Sequence, residues 1–204
     1  MKLKTYLSLA IFLSSYAYGY SQQNLASVDP QHSLARTVTI EPGVGIHTNF
    51  GTDFLISNLV QWNPNKRFSL AAHTSFNINN VTQRNFNHIK TDYNYSLNQK
   101  FGAGATVYSK KFSHTFLVMI GLKYTAYQET LDNPNFNTVS TSISAVSPDY
   151  GMMYSLKRGW KKYFFTCRFY LPLSPWLTNG ANLENVQGTL RDTALEFGLG
   201  IKIK

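Results

Sequence analysis

The sequence predicts an all-β protein: a single antiparallel up-and-down transmembrane β-barrel of about eight strands with a polar lumen, behind a cleavable signal peptide. Three observations predict it. First, residues 91–109 alternate, with Tyr93, Tyr95, Leu97, Phe101, Ala103, Ala105 and Val107 on one face and polar or glycine residues on the other; only Gln99 breaks the apolar series. A period of two is the mark of a strand with one apolar and one wet face. Second, short and long connections alternate along the chain, as in membrane barrels with tight turns at one end and long loops at the other. Third, charged residues make up 14% of the chain and aromatics 15%. Against the roughly 25% charge of ordinary domains, much of the surface is covered by something else.

The chain opens with Met1, Lys2 and Lys4, an apolar run over 6–18, and small residues at Gly19 and Ser21. This is the pattern of a secretory signal peptide, with cleavage expected after Gly19 or Ser21. The run is shorter than the roughly 20 residues a spanning helix needs. The expected organisation is a signal peptide over 1–21, a short N-terminal periplasmic segment over 22–36, and the barrel over 37–204.

Strands are expected at 37–48, 52–62, 67–79, 91–109, 114–128, 149–157, 162–172 and 191–204. The connections 63–66, 110–113 and 158–161 are then short, and 80–90, 129–148 and 173–190 long. The link at 49–51 is short where a long one is due. Within the long 129–148 connection, weak alternation over 139–146 allows a further strand pair above the membrane. Pro42 sits mid-strand without an N–H for the ladder, which predicts a bulge at 41–43. An even strand count puts both termini on the periplasmic side.

Alternation alone does not separate a membrane barrel from a soluble lipocalin-like carrier, which would invert the two faces. The polar face decides: it is Ser, Thr, Asn and Gly with isolated charges, which suits the narrow interior of eight strands. An unpaired charge there would cost several kcal/mol, about the cost of any buried lone ion. A lumen network of Glu41, His73, Asp92, Lys100, Lys123, Arg168 and Glu196 is therefore expected, closed to solutes. Aromatics favour the lipid–water interface. Here they fall in two rings: Trp62, Phe68, Phe112, Trp160 and Tyr163 near the short turns, and Phe50, Tyr93, Tyr127, Tyr150 and Trp176 near the long connections.

The formal charge of +9, or +7 without Lys2 and Lys4, is gathered at Lys66, Arg67, Lys110, Lys111, Lys157, Arg158, Lys161, Lys162, Lys202 and Lys204. That places a basic rim at the short-turn end, and no stripe suited to nucleic acid. Cys167 is the single cysteine, so no intramolecular disulfide or thiolate metal cluster is expected. His47, His88 and His114 lack metal-ligand spacing, and Gly102 and Gly104 lie inside a strand. No metal and no cofactor are expected.

With signal peptide, alternating strands, turn–loop asymmetry and the closing strand over 194–204 in place, the chain resembles the eight-stranded outer-membrane barrels of the OmpA/OmpX type. Its richness in Asn, Tyr and Lys is similar to small barrels of Bacteroidota. The resemblance covers 37–204 and implies an integral outer-membrane location, lipid and lipopolysaccharide as neighbours, and recognition by barrel-assembly machinery. The closing strand ends on Lys204, where the usual assembly signal has an aromatic residue.

One arrangement has catalytic form: His73 and Ser75 share a strand face, and Asp92 follows on the next strand. It resembles the His-x-Ser of outer-membrane lipid A deacylases, but His73 and Ser75 fall on the lumen face, whereas lipid acyl chains lie outside the barrel. The expected function is thus a non-enzymatic outer-membrane barrel with a structural or interaction role, and a possible protein partner, at external loops 85–88, 131–137 and 176–185. The alternatives are a lipid-modifying hydrolase using His73, Ser75 and Asp92, a narrow pore, and a soluble periplasmic carrier.

Overall fold

Eight strands follow one another round a closed antiparallel barrel: β1 (Thr37–His47), β2 (Phe54–Asn63), β3 (Phe68–Ile78), β4 (Ile89–Ser109), β5 (Phe112–Leu131), β6 (Val139–Arg158), β7 (Tyr163–Pro172) and β8 (Ala194–Ile203). The computed structural model describes residues 34, 36–47, 54–78, 89–109, 112–131, 139–159, 162–173 and 193–203, without the side chains of 89–91, 127, 129, 131, 139, 141 and 143. The expected signal peptide, the three candidate loops apart from the backbone of Leu131, and Phe50, Trp160 and Trp176 lie outside the described residues, as does the Tyr127 side chain.

Local chemistry explains the tight turns. Between β2 and β3, Pro64 cannot extend the ladder, and the Asn65 side-chain oxygen accepts the N–H groups of Arg67 and Phe68, both at 2.8 Å. Between β6 and β7, Gly159 takes a φ of 113° that a side chain would resist.

Polarity runs from inside to outside. Large apolar residues line the outer face, with Val118 and Phe165 each 68% exposed and Ile120 65%. Inside lie Glu41, His73, Lys157, Arg168 and Glu196, all buried. A soluble carrier would show the opposite arrangement. The lumen also has an apolar side that the alternating series did not include: Leu55, Leu59, Ala71, Leu117, Met119 and Met153 are buried among the polar groups. On the outer face, the exception at Gln99 is met by its cross-strand neighbour, because Thr74 Oγ1 donates to Gln99 Oε1 at 2.5 Å. Two polar groups on an apolar face thereby satisfy each other.

Three expectations need correction. The 139–146 segment is no separate strand pair; it is the first half of β6, in continuous register with β5 from Leu131↔Val139 to Phe112↔Arg158. Nor is there a bulge at 41–43. β1 keeps one register with β2 throughout and the same register with β8 on both sides of a gap at Glu41 and Pro42. The proline removes a rung without displacing the strand. Finally, Lys157 does not belong to the basic rim, because its position in the β6 alternation turns it into the lumen.

β4, β5 and β6 run 21, 20 and 20 residues, about twice the 9–11 that cross a bilayer. β3 pairs with β4 only as far as Tyr95, and β7 with β6 only as far as Gly151. Among the described residues, the three long strands therefore continue as a wall beyond the other five, at the end opposite the short turns. Within it, β5 is hydrogen-bonded on both sides while β4 and β6 have β5 as their one strand partner among the described residues. Hydrogen exchange is expected to be slowest, by at least tenfold, at the β5 amides of 123–130 and faster at 89–94 and 139–147. Equal rates across the three strands would show that the wall is not paired in this order.

Candidate functional site

Alternation sends every second side chain of all eight strands into one narrow space, so residues far apart in sequence meet by height alone. They form three layers.

At the short-turn end, Lys157 Nζ binds Glu41 Oε1 and donates to Gln61 Oε1 at 2.8 Å. Thr39 Oγ1 donates to the same Glu41 oxygen at 2.6 Å. Gln61 Nε2 donates to Asn63 Oδ1 at 2.7 Å, and Ser69 links Asn63 to Thr106 and so to Thr115, at 2.6 to 2.9 Å. Six strands are tied across the lumen by one ion pair and a belt of amides and hydroxyls.

The middle layer is centred on Arg168, which is fully buried. Its Nη1 donates to the Glu41 carbonyl at 2.7 Å, its Nη2 to Ser57 Oγ at 2.9 Å, and its Nε lies 2.9 Å from Glu196 Oε2 in an ion pair. Glu196 also accepts from Ser57 Oγ at 2.6 Å and faces His73 Nε2 at 3.1 Å. The guanidinium occupies the space that a side chain at residue 43 would take, since a Cβ added to Gly43 would overlap Arg168 and come within 2.8 Å of the Phe197 carbonyl oxygen. Here glycine is required by close approach.

The upper layer joins Lys100 to Asp149 at 2.9 Å, with the ammonium 3.7 Å from the centroid of the Tyr170 ring and the Tyr170 hydroxyl donating to Asp149 at 2.5 Å. Lys123 lines the same cavity, which at about 10 Å³ has room for a single water molecule.

The structure thus brings six of the seven expected lumen residues inside: Glu41, His73, Lys100, Lys123, Arg168 and Glu196. Asp92 is the exception and a correction. It is exposed on the wall, where Thr130 Oγ1 donates to its carboxylate at 2.5 Å. The register between β4 and β5 shifts between Thr91 and Tyr93, and this stretch stands beyond the last described pair of β3 with β4, Ile78↔Tyr95. Asp149, Lys157, Ser57 and Gln61 are members that the sequence reading left out. Asp149 and Lys157 share one parity within the expected strand 149–157, and that parity was the signal that could have placed both in the lumen.

The catalytic alternative loses its geometry. His73 Nε2 faces Glu196, and its Nδ1 has no hydrogen-bond partner. Ser75 Oγ accepts instead from Asn98 Nδ2 at 3.2 Å. Asp92 is paired with Thr130, and the imidazole is held by Glu196 without a hydrogen bond to Ser75, so no base is aligned on the serine as nucleophilic catalysis requires. Of the interface aromatics, Trp62, Tyr93 and Tyr163 are exposed on the outer side. Among the described residues, no group of His, Cys, Asp and Glu is arranged to hold a metal ion.

No family model matches the chain, and no curated protein matches it in sequence. Among solved structures, the N-terminal β-barrel domain of Pseudomonas aeruginosa OprF is similar over 83% of this chain and 98% of that one, at 11% identity and a TM-score of 0.44.

Breaking a buried pair leaves an uncompensated charge and typically costs 3–5 kcal/mol. Arg168→Met and Glu196→Leu are each expected to lose about that much folding stability, measured by urea unfolding. The double variant should lose clearly less than the two together. Additive losses would mean that the two groups do not act as a pair.

Proposed function

We propose that this chain is an integral outer-membrane protein in which a plugged barrel serves as a rigid scaffold and the parts beyond the lipid, on the side of the long connections, carry a structural or interaction role. The observation that carries this reading is the inverted polarity: a continuous outer belt of exposed Val, Ile, Leu and Phe around an interior of paired charges. In water such a belt far exceeds the apolar patches that monomeric proteins tolerate. In a bilayer it meets hydrocarbon, and a closed barrel leaves no backbone group unpaired there.

The three lumen layers favour a barrel closed to solutes over a pore. The β4–β5–β6 wall supports an interaction role, because a rigid scaffold that presents groups clear of the lipid is where binding concentrates. On the wall, exposed side chains turn to Ser140, Ser142 and Ser144. Partners follow from this placement: outer-membrane lipid and lipopolysaccharide round the belt, the assembly machinery at β8, and a protein partner at the external face. Both termini would then be periplasmic, since β1 begins and β8 ends at the short-turn end.

Two measurements test the reading. Mature protein refolded in detergent is expected to migrate differently on SDS gels with and without boiling, and to fractionate with the outer membrane. Val118→Arg, near the middle of the belt, should cost about 2–4 kcal/mol of folding stability in lipid bilayers. A soluble, detergent-free monomer in which Val118→Arg is neutral would overturn membrane insertion.

A further inference from the structure

We propose that the short-turn end of the barrel binds anionic phospholipid headgroups of the leaflet around it, an inference that rests on the membrane insertion proposed above. The observation is a complete separation of charge. The five stretches that reach this end, 34–40, 60–71, 105–117, 154–166 and 199–204, contain eleven Lys and Arg and no Asp or Glu. Lys157 turns inward to Glu41. Lys66, Arg67, Arg158 and Lys162 are exposed, and none has a described carboxylate within ion-pair reach. The three lumen acids are each beside a cation already. The remaining acids fall in the N-terminal stretch or toward the opposite end. Nothing within the described protein neutralises the rim.

The position of these cations selects the partner. The Arg158 guanidinium lies 5.9 Å from the Phe112 ring centroid, and the Lys162 ammonium 5.8 Å from that of Tyr163. Phe112 and Tyr163 are exposed on the outer face, as are Trp62 and Phe68 in the neighbouring hairpin. A cation held over an outward ring stands on the circumference of the barrel, at the level where interfacial aromatics meet headgroups, away from the mouth of the lumen. A lipid phosphodiester at that level receives the forked donors of arginine and the point charge of lysine. It can keep its acyl chains against the apolar belt. A polyanion approaching from water would find the same charges turned sideways, toward lipid. Basic residues near an anionic leaflet are drawn to it over a Debye length.

The test uses Trp62 as a local reporter in the full-length mature chain carrying Trp160→Phe and Trp176→Phe. The protein is reconstituted in phosphatidylcholine bilayers containing equal mole fractions of either brominated phosphatidylglycerol or brominated phosphatidylcholine. Quenching of Trp62 is expected to be about twofold stronger with the anionic lipid. The preference should vanish at high salt and in the Lys66→Gln, Arg67→Gln, Arg158→Gln, Lys162→Gln variant, while heat-modifiable mobility confirms that the variant is folded. Equal quenching by both lipids in the unsubstituted rim overturns the proposal and leaves insertion standing, as does a preference that survives in the neutral variant. Absence of quenching by either lipid overturns insertion, and this inference with it. Retention on purified cell-wall polymer, lost in the neutral variant and accompanied by equal quenching, would assign the rim to that polymer instead.

Discussion

Arg168 ties together the strands that meet where the barrel closes. The first and last strands meet at the β1–β8 seam, which is the one junction the chain does not close with a connection between neighbours. Pro42 weakens it further, since the ladder skips Glu41 and Pro42 there. From β7, Arg168 reaches the Glu41 carbonyl on β1, Ser57 on β2 and Glu196 on β8. Four strands are thus joined by one side chain. Gly43 is the complement of this arrangement, because the guanidinium fills the volume in front of it.

The other layers follow from the same constraint. Eight strands leave an interior only as wide as the side chains that fill it, so any charge admitted must be neutralised by a neighbour at its own height. Glu41 meets Lys157 and Asp149 meets Lys100, each from a strand across the lumen rather than from an adjacent position. Leu59, Leu117, Met119 and Met153 occupy the space between. A shaft crossed three times by ion pairs and hydrogen bonds is a rod more than a tube.

Parity explains both what was legible in the sequence and what was not. A period of two assigns a face, and it placed Glu41, His73, Lys100, Lys123, Arg168 and Glu196 together in the lumen. It does not assign height, which depends on register and tilt, so the partners of these groups were not readable. Parity also fails wherever its assumptions do. The register shift beside Asp92 breaks the count, and Asp92 lies past the last described β3–β4 pair, Ile78↔Tyr95. The Pro42 bulge was a sound expectation for a ladder that had to keep every rung. The seam instead loses the rung and keeps the same register on both sides of it.

The misreading of β6 has a different cause, and it bears on the wall. Residues 139–148 carry five Ser and Thr residues, an Ala and a proline, with Val139, Ile143 and Val146 as the large apolar residues among them, so they look like a loop. Yet they pair with β5 without a break. The change in composition falls at the height where β7 stops pairing with β6, Gly151↔Pro172 being the last pair. Past that point no neighbouring strand shields β6 on that side among the described residues, and an apolar face would have neither lipid nor core to meet. An outer surface of hydroxyls is what a strand needs once it leaves the bilayer, and Thr130, Gln128 and Ser140 hydrogen-bond along it. On the proposed membrane insertion, the same composition that hid the strand marks the height at which the barrel leaves the hydrocarbon, and sets the wall above it as a surface facing water.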